Sequence, residues 1–592
     1  MLRFALILCL FLAPLSARAQ SNADSLHKFF HDAFEEQLRD QPEFATNIGR
    51  HDYDDRWSDP SKAGLELRRS HLQQRLKQLE AIPLDGVSDE DRLSARLYRY
   101  DVQQQLDTYD MQTLLIPVGQ LFGFHNQVYT TVDRMPAFTV HDYENIIARL
   151  RAIPVFVDQN LSRLDEAVSR GITQPKVVVD LVIAQLDAQI AQDASSTALL
   201  NAFRRFPTNI PPDQQRALKA QATEAYEKQF LPAWRKLRDY MAATYAPRER
   251  ASVGLGSLPG GKEAYAALVR RYTTTTLTPE QIHEIGQREL TRIESEMLVL
   301  ARQTGFTGAL SEFEAKMNAD PAQHFHSKEE MLVYCRNVAK VIEPQLPALF
   351  KHIPLLLYGV RPIPADREAA TATNAQSGNI DGSAPGWFNL NTYQPEKQIR
   401  ADKEALVLHE AVPGHIFQGS VARSIQGVPE FRKYYGNSAY GEGWALYVES
   451  LGEQLGIYRD PYSRFGQLSS ERFRAVRLIV DTGMHAMGWT REQAVAFFQQ
   501  HAPDESVAEI DRYISWPSQC LSYKIGQLKI RGLRAEAQKL LGPRFDIREF
   551  HDVVLRDGVL PLDLLDEQVH RYISSNQQAA ASPSSLPQPP AF

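Results

Sequence analysis

Residues 405–418 read Ala-Leu-Val-Leu-His-Glu-Ala-Val-Pro-Gly-His-Ile-Phe-Gln, so that His409 and His415 stand on either side of Glu410. The aliphatic run before His409 is typical of a buried helix. Zinc motifs of the form His-Glu-x-x-His place two imidazoles on one helix face, with the glutamate between them as general base. The same residue types are present here, and the stretch therefore predicts a zinc site.

The spacing of the two histidines requires the helix to bend. At about 100° per residue, His415 would point away from His409 in a straight helix. Pro413 lacks an N–H and its ring clashes with the carbonyl of residue 409, while Gly414 tolerates unusual backbone angles. We therefore expect a kink or widened turn that returns His415 to the face of His409. The alternative is a helix end punctuated by Pro-Gly, with two structural histidines and a solvated Glu410.

A third ligand is predicted in the apolar stretch 440–449, Tyr-Gly-Glu-Gly-Trp-Ala-Leu-Tyr-Val-Glu. A carboxylate inside such a stretch is costly to bury unless it is paired or binds metal. Glu442 is the predicted ligand. Glu449 lies on the same helix face and is the second choice as ligand, or the partner that holds a histidine. The alternative is that both are ordinary salt-bridge partners.

A charged stripe follows at helical period within residues 471–489. It consists of Arg474, Arg477, Asp481 and His485, and the other faces are apolar. Such a helix should be buried, with its stripe facing a polar cavity. His485 is a candidate catalytic donor, Arg477 a candidate for binding a substrate carboxylate, and Asp481 a candidate supporting residue. The alternative, a buried structural ion network, fits Arg474 and Asp481.

Residues 513–533 carry two further candidates at the start of a predicted helix. Tyr523 is suited to stabilise an oxyanion and Lys524 to bind a substrate carboxylate. The alternative is a hydroxyl within a helix contact and a lysine that extends to solvent. Gly526, in the same helix, predicts the close approach of another backbone.

A short strand is predicted at residues 387–392, after a segment rich in turn-forming residues. In a peptidase, the edge of this strand could pair with an extended peptide, and Asn389 is therefore a candidate substrate-binding residue. A surface hairpin is the alternative.

The first residues have the pattern of a secretory signal. Arg3 precedes an apolar run that ends near Leu15, and Ala-Arg-Ala at 17–19 matches an A-x-A cleavage site. Cys9 lies inside the apolar run, which argues against a lipoprotein. We therefore expect residues 1–19 to be removed and the protein to be exported, to a periplasm or beyond. No later apolar run is long enough to span a membrane.

Composition and periodicity predict a mainly α fold. The 592 residues carry a net charge of −7 from 65 basic and 72 acidic side chains, which gives no indication of a nucleic-acid partner. Apolar residues keep helical spacing at 24–38, 65–79, 91–106, 143–168 and 215–245. We expect a helical N-terminal lobe at 20–254, a zinc-site lobe of the same catalytic unit at 255–575 and a disordered tail at 576–592. Cys335 and Cys520 remain after export, and the sequence does not decide whether they pair.

The motifs together resemble one family. The motifs His-Glu-Ala-Val-Pro-Gly-His, Glu-Gly-Trp-Ala-Leu-Tyr, residues 481–490 and residues 521–526 are similar to the bacterial family called domain of unknown function 885. The resemblance covers nearly all of the chain after residue 20. It implies a gluzincin-type zinc metallopeptidase, mainly helical with a deep central cleft, and the strand predicted at 387–392 adds a small β element near the active site. It also implies one zinc ion held by His409, His415 and Glu442. Many relatives have a second histidine after His415, where this chain has Ile416.

The predicted function is a secreted zinc peptidase of carboxypeptidase or oligopeptidase type. In this hypothesis Glu410 is the general base, His485 or Tyr523 stabilises the oxyanion, and Arg477 or Lys524 holds a terminal carboxylate. Two alternatives remain open. The zinc site could serve an amidase or esterase acting on a non-peptide substrate, or the chain could be a catalytically silent protein that binds peptides.

Overall fold

The structure, a computed structural model, describes residues 2–111, 116–365, 368, 371–378 and 385–581. It is 69% helical and contains one small sheet of three strands. The predicted mainly α class is therefore confirmed.

The helices of the first part of the chain cover most of the predicted periodic segments. They are α1 (Leu2–Asp40), α2 (Pro42–Asn47), α3 (Lys62–Glu80), α4 (Asp89–Asp110), α5 (Phe124–Asp133), α6 (Val140–Ser169), α7 (Lys176–Ile190), α8 (Pro212–Ala225), α9 (Leu231–Tyr240), α10 (Gly261–Thr273), α11 (Pro279–Gln303), α12 (Leu310–Ala319) and α13 (Lys328–Ile342). Five-residue π turns follow α8 and α9, so the helical stretch predicted at 215–245 is continuous.

The helices of the second part carry the candidate site. They are α14 (Lys403–Glu410), α15 (His415–Ser424), α16 (Glu430–Tyr434), α17 (Ser438–Glu449), α18 (Pro461–His485), α19 (Arg491–His501), α20 (Ala508–Ser515), α21 (Ser522–Leu541), α22 (Ile547–Leu555) and α23 (Leu562–Ala581). The last helix continues to Ala581, past the start of the predicted tail at 576, and residues 582–592 lie outside the described part of the chain. The sheet consists of β1 (Tyr358–Pro362), β2 (Asn374–Gln376) and β3 (Gly386–Leu390).

One apolar core extends through both predicted lobes. Its buried residues run along the chain from Leu26 to Ile573. The segment at the predicted boundary between the lobes, residues 254–261, is rich in glycine and packs into this core through Leu255 and Leu258. A Cβ on Gly254 would lie 2.1 Å from the Met484 carbonyl oxygen, and one on Gly256 would lie 2.4 Å from that of His485. These glycines therefore allow the segment to contact the end of α18 directly.

Helices α14, α17, α18 and α21 pack on one another around the candidate site. The tightest crossing joins α17 to α21 at two glycines. A Cβ on Gly443 would lie 2.5 Å from the Cα of Gly526, and one on Gly526 would lie 1.9 Å from the Ala439 carbonyl oxygen. This is the close backbone approach expected from Gly526. It fixes α17, and with it Glu442 and Glu449, against α21.

The sheet has the order β1-β3-β2. β3 pairs parallel with β1 and antiparallel with β2. The predicted strand at 387–392 corresponds to β3, which is central, because both of its edges are paired. An incoming peptide could therefore not pair with the edge of β3, whereas β2 pairs with β3 along only one of its edges.

Two further expectations can be compared with the structure. Cys335 and Cys520 are both buried and free, so they do not form a disulfide. Within the described ranges, none of the helices is long and apolar enough to cross a membrane.

His551, on α22, gives a prediction about stability and pH. Its Nδ1–H donates to the Leu349 carbonyl at 2.8 Å, and Nε2 accepts from the Tyr447 hydroxyl at 2.8 Å. Complete burial lowers the pKa of His551 to about 3. Between that pKa and the unfolded pKa of about 6.5, only the unfolded chain binds the proton. The free energy of unfolding therefore falls as pH falls through this window, by about 1.4 kcal/mol per pH unit.

We expect the wild type to lose about 2 kcal/mol more stability between pH 7 and pH 5 than His551→Gln does. Urea unfolding of both proteins at the two pH values measures this difference. Equal losses in the two proteins would show that His551 does not remain neutral in the folded state.

Candidate metal centre

The two histidines are brought together by a break in the helix. α14 ends at Glu410 and α15 begins at His415, with turns between them. The Val412–Pro413 peptide bond is cis, and the Trp444 indole N–H donates to the Pro413 carbonyl at 2.8 Å. The helix is therefore interrupted between Glu410 and His415, where a kink or widened turn was expected.

Gly414 is needed for this bend. A Cβ at position 414 would lie 1.8 Å from the carbonyl oxygen of His409 and 2.4 Å from that of Leu408. Both of these are backbone atoms, which cannot move aside as a flexible side chain can. The absence of a side chain therefore allows the turn to fold back on the end of α14.

His409, His415 and Glu442 converge on one point. Nε2 of His415 lies 3.2 Å from Glu442 Oε2, and Nε2 of His409 lies 3.7 Å from the same oxygen. The two imidazole rings have centroids 4.9 Å apart and are nearly perpendicular. One ligand atom from each of the three residues lies within 4.8 Å of the others.

Glu449 orients the first histidine. Its Oε1 accepts a hydrogen bond from Nδ1 of His409 at 2.8 Å, and its side chain is 1% exposed. Because Nδ1 is engaged in this way, a neutral His409 carries its lone pair on Nε2, which faces Glu442. Glu449 thus occupies the position of a carboxylate that holds a ligating imidazole. It is not a member of the converging set.

The electrostatics of these groups favour a cation. Burial disfavours a charged His409, yet the carboxylates of Glu442 and Glu449 raise its pKa to about 9. Burial also opposes ionisation of Glu442, but the adjacent His415 and His409 hold its pKa well below the usual range. The site therefore stabilises positive charge between its carboxylates, either as a proton or as a metal ion.

Glu410 lies beside this centre and is 9% exposed. Burial, together with repulsion from Glu442, raises its pKa, while His409, His415 and Arg474 oppose that rise. A raised pKa brings a carboxylate closer to the range in which it can accept and return a proton near neutral pH.

The centre opens into a cavity of about 1550 Å³. Its walls include His409, Glu410, His415, Glu442 and Tyr523. The Tyr523 ring lies nearly parallel to that of His409, with centroids 6.4 Å apart. Burial and the charge of Glu442 raise the pKa of Tyr523, so its hydroxyl stays protonated and can donate a hydrogen bond.

Arg477 and Arg474 also line the cavity, one helical turn apart on α18. The Arg477 guanidinium donates to the Tyr513 hydroxyl at 2.9 Å and to Glu509 at 3.0 Å. It also stacks on the Tyr523 ring at 4.6 Å. The cavity position expected for Arg477 is therefore observed. From the sequence, Arg474 fitted a buried structural ion network. It lies on the same helical stripe as Arg477, and this shared position could have indicated that Arg474 also lines the cavity.

His485 lies elsewhere. It is 1% exposed, its Nδ1 accepts the Leu255 N–H at 3.0 Å, and its Nε2 is 3.1 Å from the Tyr513 carbonyl. Both ring nitrogens are occupied by backbone groups, and burial lowers the pKa of the imidazole. His485 therefore ties α18 to two neighbouring segments, and its position does not support the predicted catalytic role.

Asp481 is likewise remote from the metal centre. It accepts hydrogen bonds from the Tyr265 hydroxyl at 2.6 Å and from the Ser518 N–H at 3.1 Å. The Ser518 contact anchors the short turn that leads into α21. Asp481 thus helps to position the helix that carries Tyr523, and it does not contact the converging ligands.

Lys524 does not face the cavity. It is 0% exposed and pairs with Glu471 at 2.6 Å and with Glu289 at 2.8 Å. Arg292 and Arg531 complete this buried network around Glu471. Lys524 therefore lies on a different face of α21 from Tyr523, about 100° around the helix, and that face packs against Glu471. Its predicted substrate contact is not supported by this position.

Asn389 is also occupied by other side chains. Its amide donates to Asn374 at 3.0 Å and its oxygen accepts from Arg361 at 2.7 Å. It lies on the central strand, so its predicted substrate contact is not supported either. Instead, residues 372–375, which lead into and include β2, line the cavity.

The donor set fits a divalent transition metal. Two imidazoles and one carboxylate are a ligand combination that zinc uses in catalytic sites, with a fourth position open for water or substrate. The carboxylate that holds the first histidine is part of the same pattern. His409, His415 and Glu442 are therefore the residues that could hold the ion, with Glu449 orienting His409.

The chain resembles known sequences and structures along nearly its whole length. A crystal structure of a protein described as a putative lipoprotein, from Colwellia psychrerythraea, has 25% identity and a TM-score of 0.87, covering 94% of this chain and 99% of that one. A putative lipoprotein of unknown function from Shewanella oneidensis has 18% identity and a TM-score of 0.74, covering 92% and 99%. Among curated proteins, none matches. Residues 42–569 match the family model described as bacterial protein of unknown function (DUF885), and the chain therefore belongs to this family.

Proposed function

We propose that this protein is a zinc-dependent hydrolase that cleaves peptide bonds, of the gluzincin type with an HExxPGH motif. The observation that carries the proposal is the convergence of His409, His415 and Glu442 beside the buried acid Glu410. A protein that only binds peptides gains nothing from a general base next to two metal ligands. The donor set and the neighbouring acid together favour hydrolysis over simple binding.

The size and walls of the cavity favour a peptide substrate. Its volume of about 1550 Å³ exceeds the 300–1,000 Å³ typical of small-molecule pockets. Residues 372–375 line it, and β2 has one strand edge that β3 does not use. An extended peptide could add to this edge through main-chain hydrogen bonds.

Each residue of the centre has a task in the proposed reaction. A bound zinc ion would polarise the scissile carbonyl and acidify a water molecule. Glu410 would take the proton of the attacking water and deliver it to the leaving amine. The Tyr523 hydroxyl would donate to the oxygen on which negative charge develops. Glu449 would keep His409 in the required tautomer.

We also propose that the protein is exported after cleavage near Ala19. The Arg3-led apolar segment and the Ala-Arg-Ala sequence support export.

We further propose that the lobes at 20–254 and 255–575 form a single catalytic unit. Their shared apolar core is consistent with this proposal.

Metal analysis combined with a substrate panel tests the proposed function. Purified protein should contain about one zinc per chain, lose hydrolysis on chelation and regain it with zinc. The panel contains short peptides, non-peptide amides and esters. Faster hydrolysis of the non-peptide amides or the esters than of the peptides would instead indicate an amidase or esterase. Peptide binding without any hydrolysis or bound metal would indicate a binding protein.

Substitution of Glu449 by glutamine should weaken metal binding without abolishing it. Glutamine keeps the shape of the side chain but removes the charge that faces His409 Nδ1. Loss of such a supporting carboxylate typically costs 10–100-fold in metal affinity or activity. Competition with a chelator of known zinc affinity measures the change. An unchanged affinity would mean that the contact at 2.8 Å does not tune the histidine.

A further inference from the structure

We propose that Arg474 and Arg477 form a subsite for the free C-terminal carboxylate of a peptide substrate, which makes the enzyme a carboxy-terminal exopeptidase. The inference rests on the proposed hydrolase function and adds the substrate class. Its evidence is a pair of guanidinium groups with unused donors on the cavity wall next to the metal centre.

The first of these donors belongs to Arg477. The side chain is 8% exposed and lines the cavity. Its Nη1 is buried without a hydrogen-bond partner among the residues that the structure describes. A buried donor left unpaired costs about 1–3 kcal/mol, so a ligand that satisfies it has a clear energetic advantage.

Arg474 provides a second set of donors one turn earlier. Its Nη1 bonds to Ser470, and its Nη2 is 3.9 Å from Glu449. Its Nε is buried and, within the described chain, unpartnered. Arg474 also acts electrostatically on Glu410 and His409, so its charge is felt at the metal centre. Two guanidinium groups on one wall suit a carboxylate, which accepts paired N–H donors.

The acids near this pair already have other partners. Glu509 accepts from Arg477, Arg512 and the Tyr513 hydroxyl, and Glu449 accepts from His409 Nδ1. Asp504 and Glu505 also line the cavity. An anionic substrate group would therefore be held by the unpaired guanidinium donors and not by an excess of positive charge on this wall.

The distance to the metal centre limits the length of the product. Tyr523 neighbours both sites: its ring lies 6.4 Å from the His409 ring and 4.6 Å from the Arg477 guanidinium, which limits how far apart the two sites can be. Extended peptide spans about 3.3–3.6 Å per residue. A carboxylate bound at Arg477 therefore leaves room for about one to three residues between it and the scissile bond. The enzyme should release single amino acids or very short peptides from the C-terminus.

The test compares N-acetylated tri- and tetrapeptides with their C-terminal amides. We expect the wild type to hydrolyse the acids at a kcat/KM about 100-fold above that of the amides, the upper range for hydrogen bonds to a charged group. Mass spectrometry of a longer N-acetylated peptide, in which internal cleavage is also possible, should identify released C-terminal fragments of one to three residues. Arg474→Gln and Arg477→Gln should each reduce the acid-to-amide ratio towards one, mainly by lowering the rate on the acids. The surface substitution Arg288→Gln, at a side chain that is 68% exposed, is the matched control.

Calorimetric titration of metal-free protein with the same peptides provides a readout that does not require activity. Acids should bind at least about 10-fold more tightly than amides, and this preference should be lost in both arginine variants. Equal binding and equal hydrolysis of acids and amides would overturn the subsite and leave the hydrolase function intact. A preference that survives both substitutions would also overturn it. Failure to hydrolyse either peptide would contradict the proposed function, while the titration would still decide the subsite.

Discussion

Glu410→Gln is expected to lose about 10²–10⁴-fold in kcat, the usual contribution of a positioned general base, while the protein keeps its zinc. Glutamine has nearly the same shape as glutamate but cannot accept the proton of the attacking water. The ligand atoms of His409, His415 and Glu442 belong to other side chains and should keep their convergence. The change should therefore separate metal binding from turnover.

Three measurements on the same preparation check this expectation: zinc content, the thermal midpoint and kcat on a peptide that the wild type hydrolyses. Zinc content should stay near that of the wild type. The thermal midpoint should not fall, because neutral glutamine removes a buried carboxylate whose pKa is already raised by burial. Near wild-type turnover would place the base on another residue, and loss of zinc would mean that Glu410 supports the ligands.

The convergence of His409, His415 and Glu442 could be predicted from the sequence because the chemistry of a candidate metal site is local. His409, Glu410 and His415 lie within one short stretch, and Glu442 and Glu449 share one helix face. Metal-ligand chemistry restricts the residue types so strongly that few alternatives existed. The mainly α class was predictable for a similar reason, since it depends on helical periodicity along each segment.

The roles of Tyr523, Lys524 and His485 could not be assigned from the sequence. These roles depend on which neighbouring element each face of the helix packs against. Tyr523 and Lys524 are adjacent, yet one lines the cavity and the other is buried in an ion network with Glu471. His485 shares a stripe with Arg477, yet α18 extends past the cavity before reaching it. A helical stripe thus indicates a polar face, whereas its contacts depend on tertiary packing.

The central position of β3 in the sheet could not be predicted from the residues of the strand alone. The strand itself was predictable from residues 387–392, but the pairing of Asn389 across from Asn374 depends on a loop returning to the same sheet. Strand order is a non-local property. The strand edge proposed for a peptide is consequently the edge of β2 that β3 does not use, and Asn374 and Ala375 of β2 line the cavity.

The second large effect is expected from Gly414→Ala, which adds one methyl group at the bend between the histidines. The new Cβ would lie 1.8 Å from the His409 carbonyl oxygen and 2.4 Å from that of Leu408. Since both contacts are with backbone, the turn must open and move His415 away from His409. We expect zinc affinity to fall by at least 100-fold, comparable to or beyond the loss of a supporting carboxylate, together with roughly 3 kcal/mol of stability, the upper range for overpacking.

Gly436→Ala is the matched control, because a Cβ at Gly436 would meet nothing within 4 Å. It should leave zinc affinity and stability near wild-type values. Zinc titration against a chelator and urea unfolding of both variants provide the comparison. If Gly414→Ala bound zinc as tightly as the control, the ligands would not depend on the close approach of residue 414 to the end of α14. The convergence of His409 and His415 would then have to arise from a different backbone path. If instead only Gly414→Ala loses the metal, the close approach of residue 414 to the backbone of α14 links the Pro-Gly sequence to the proposed chemistry.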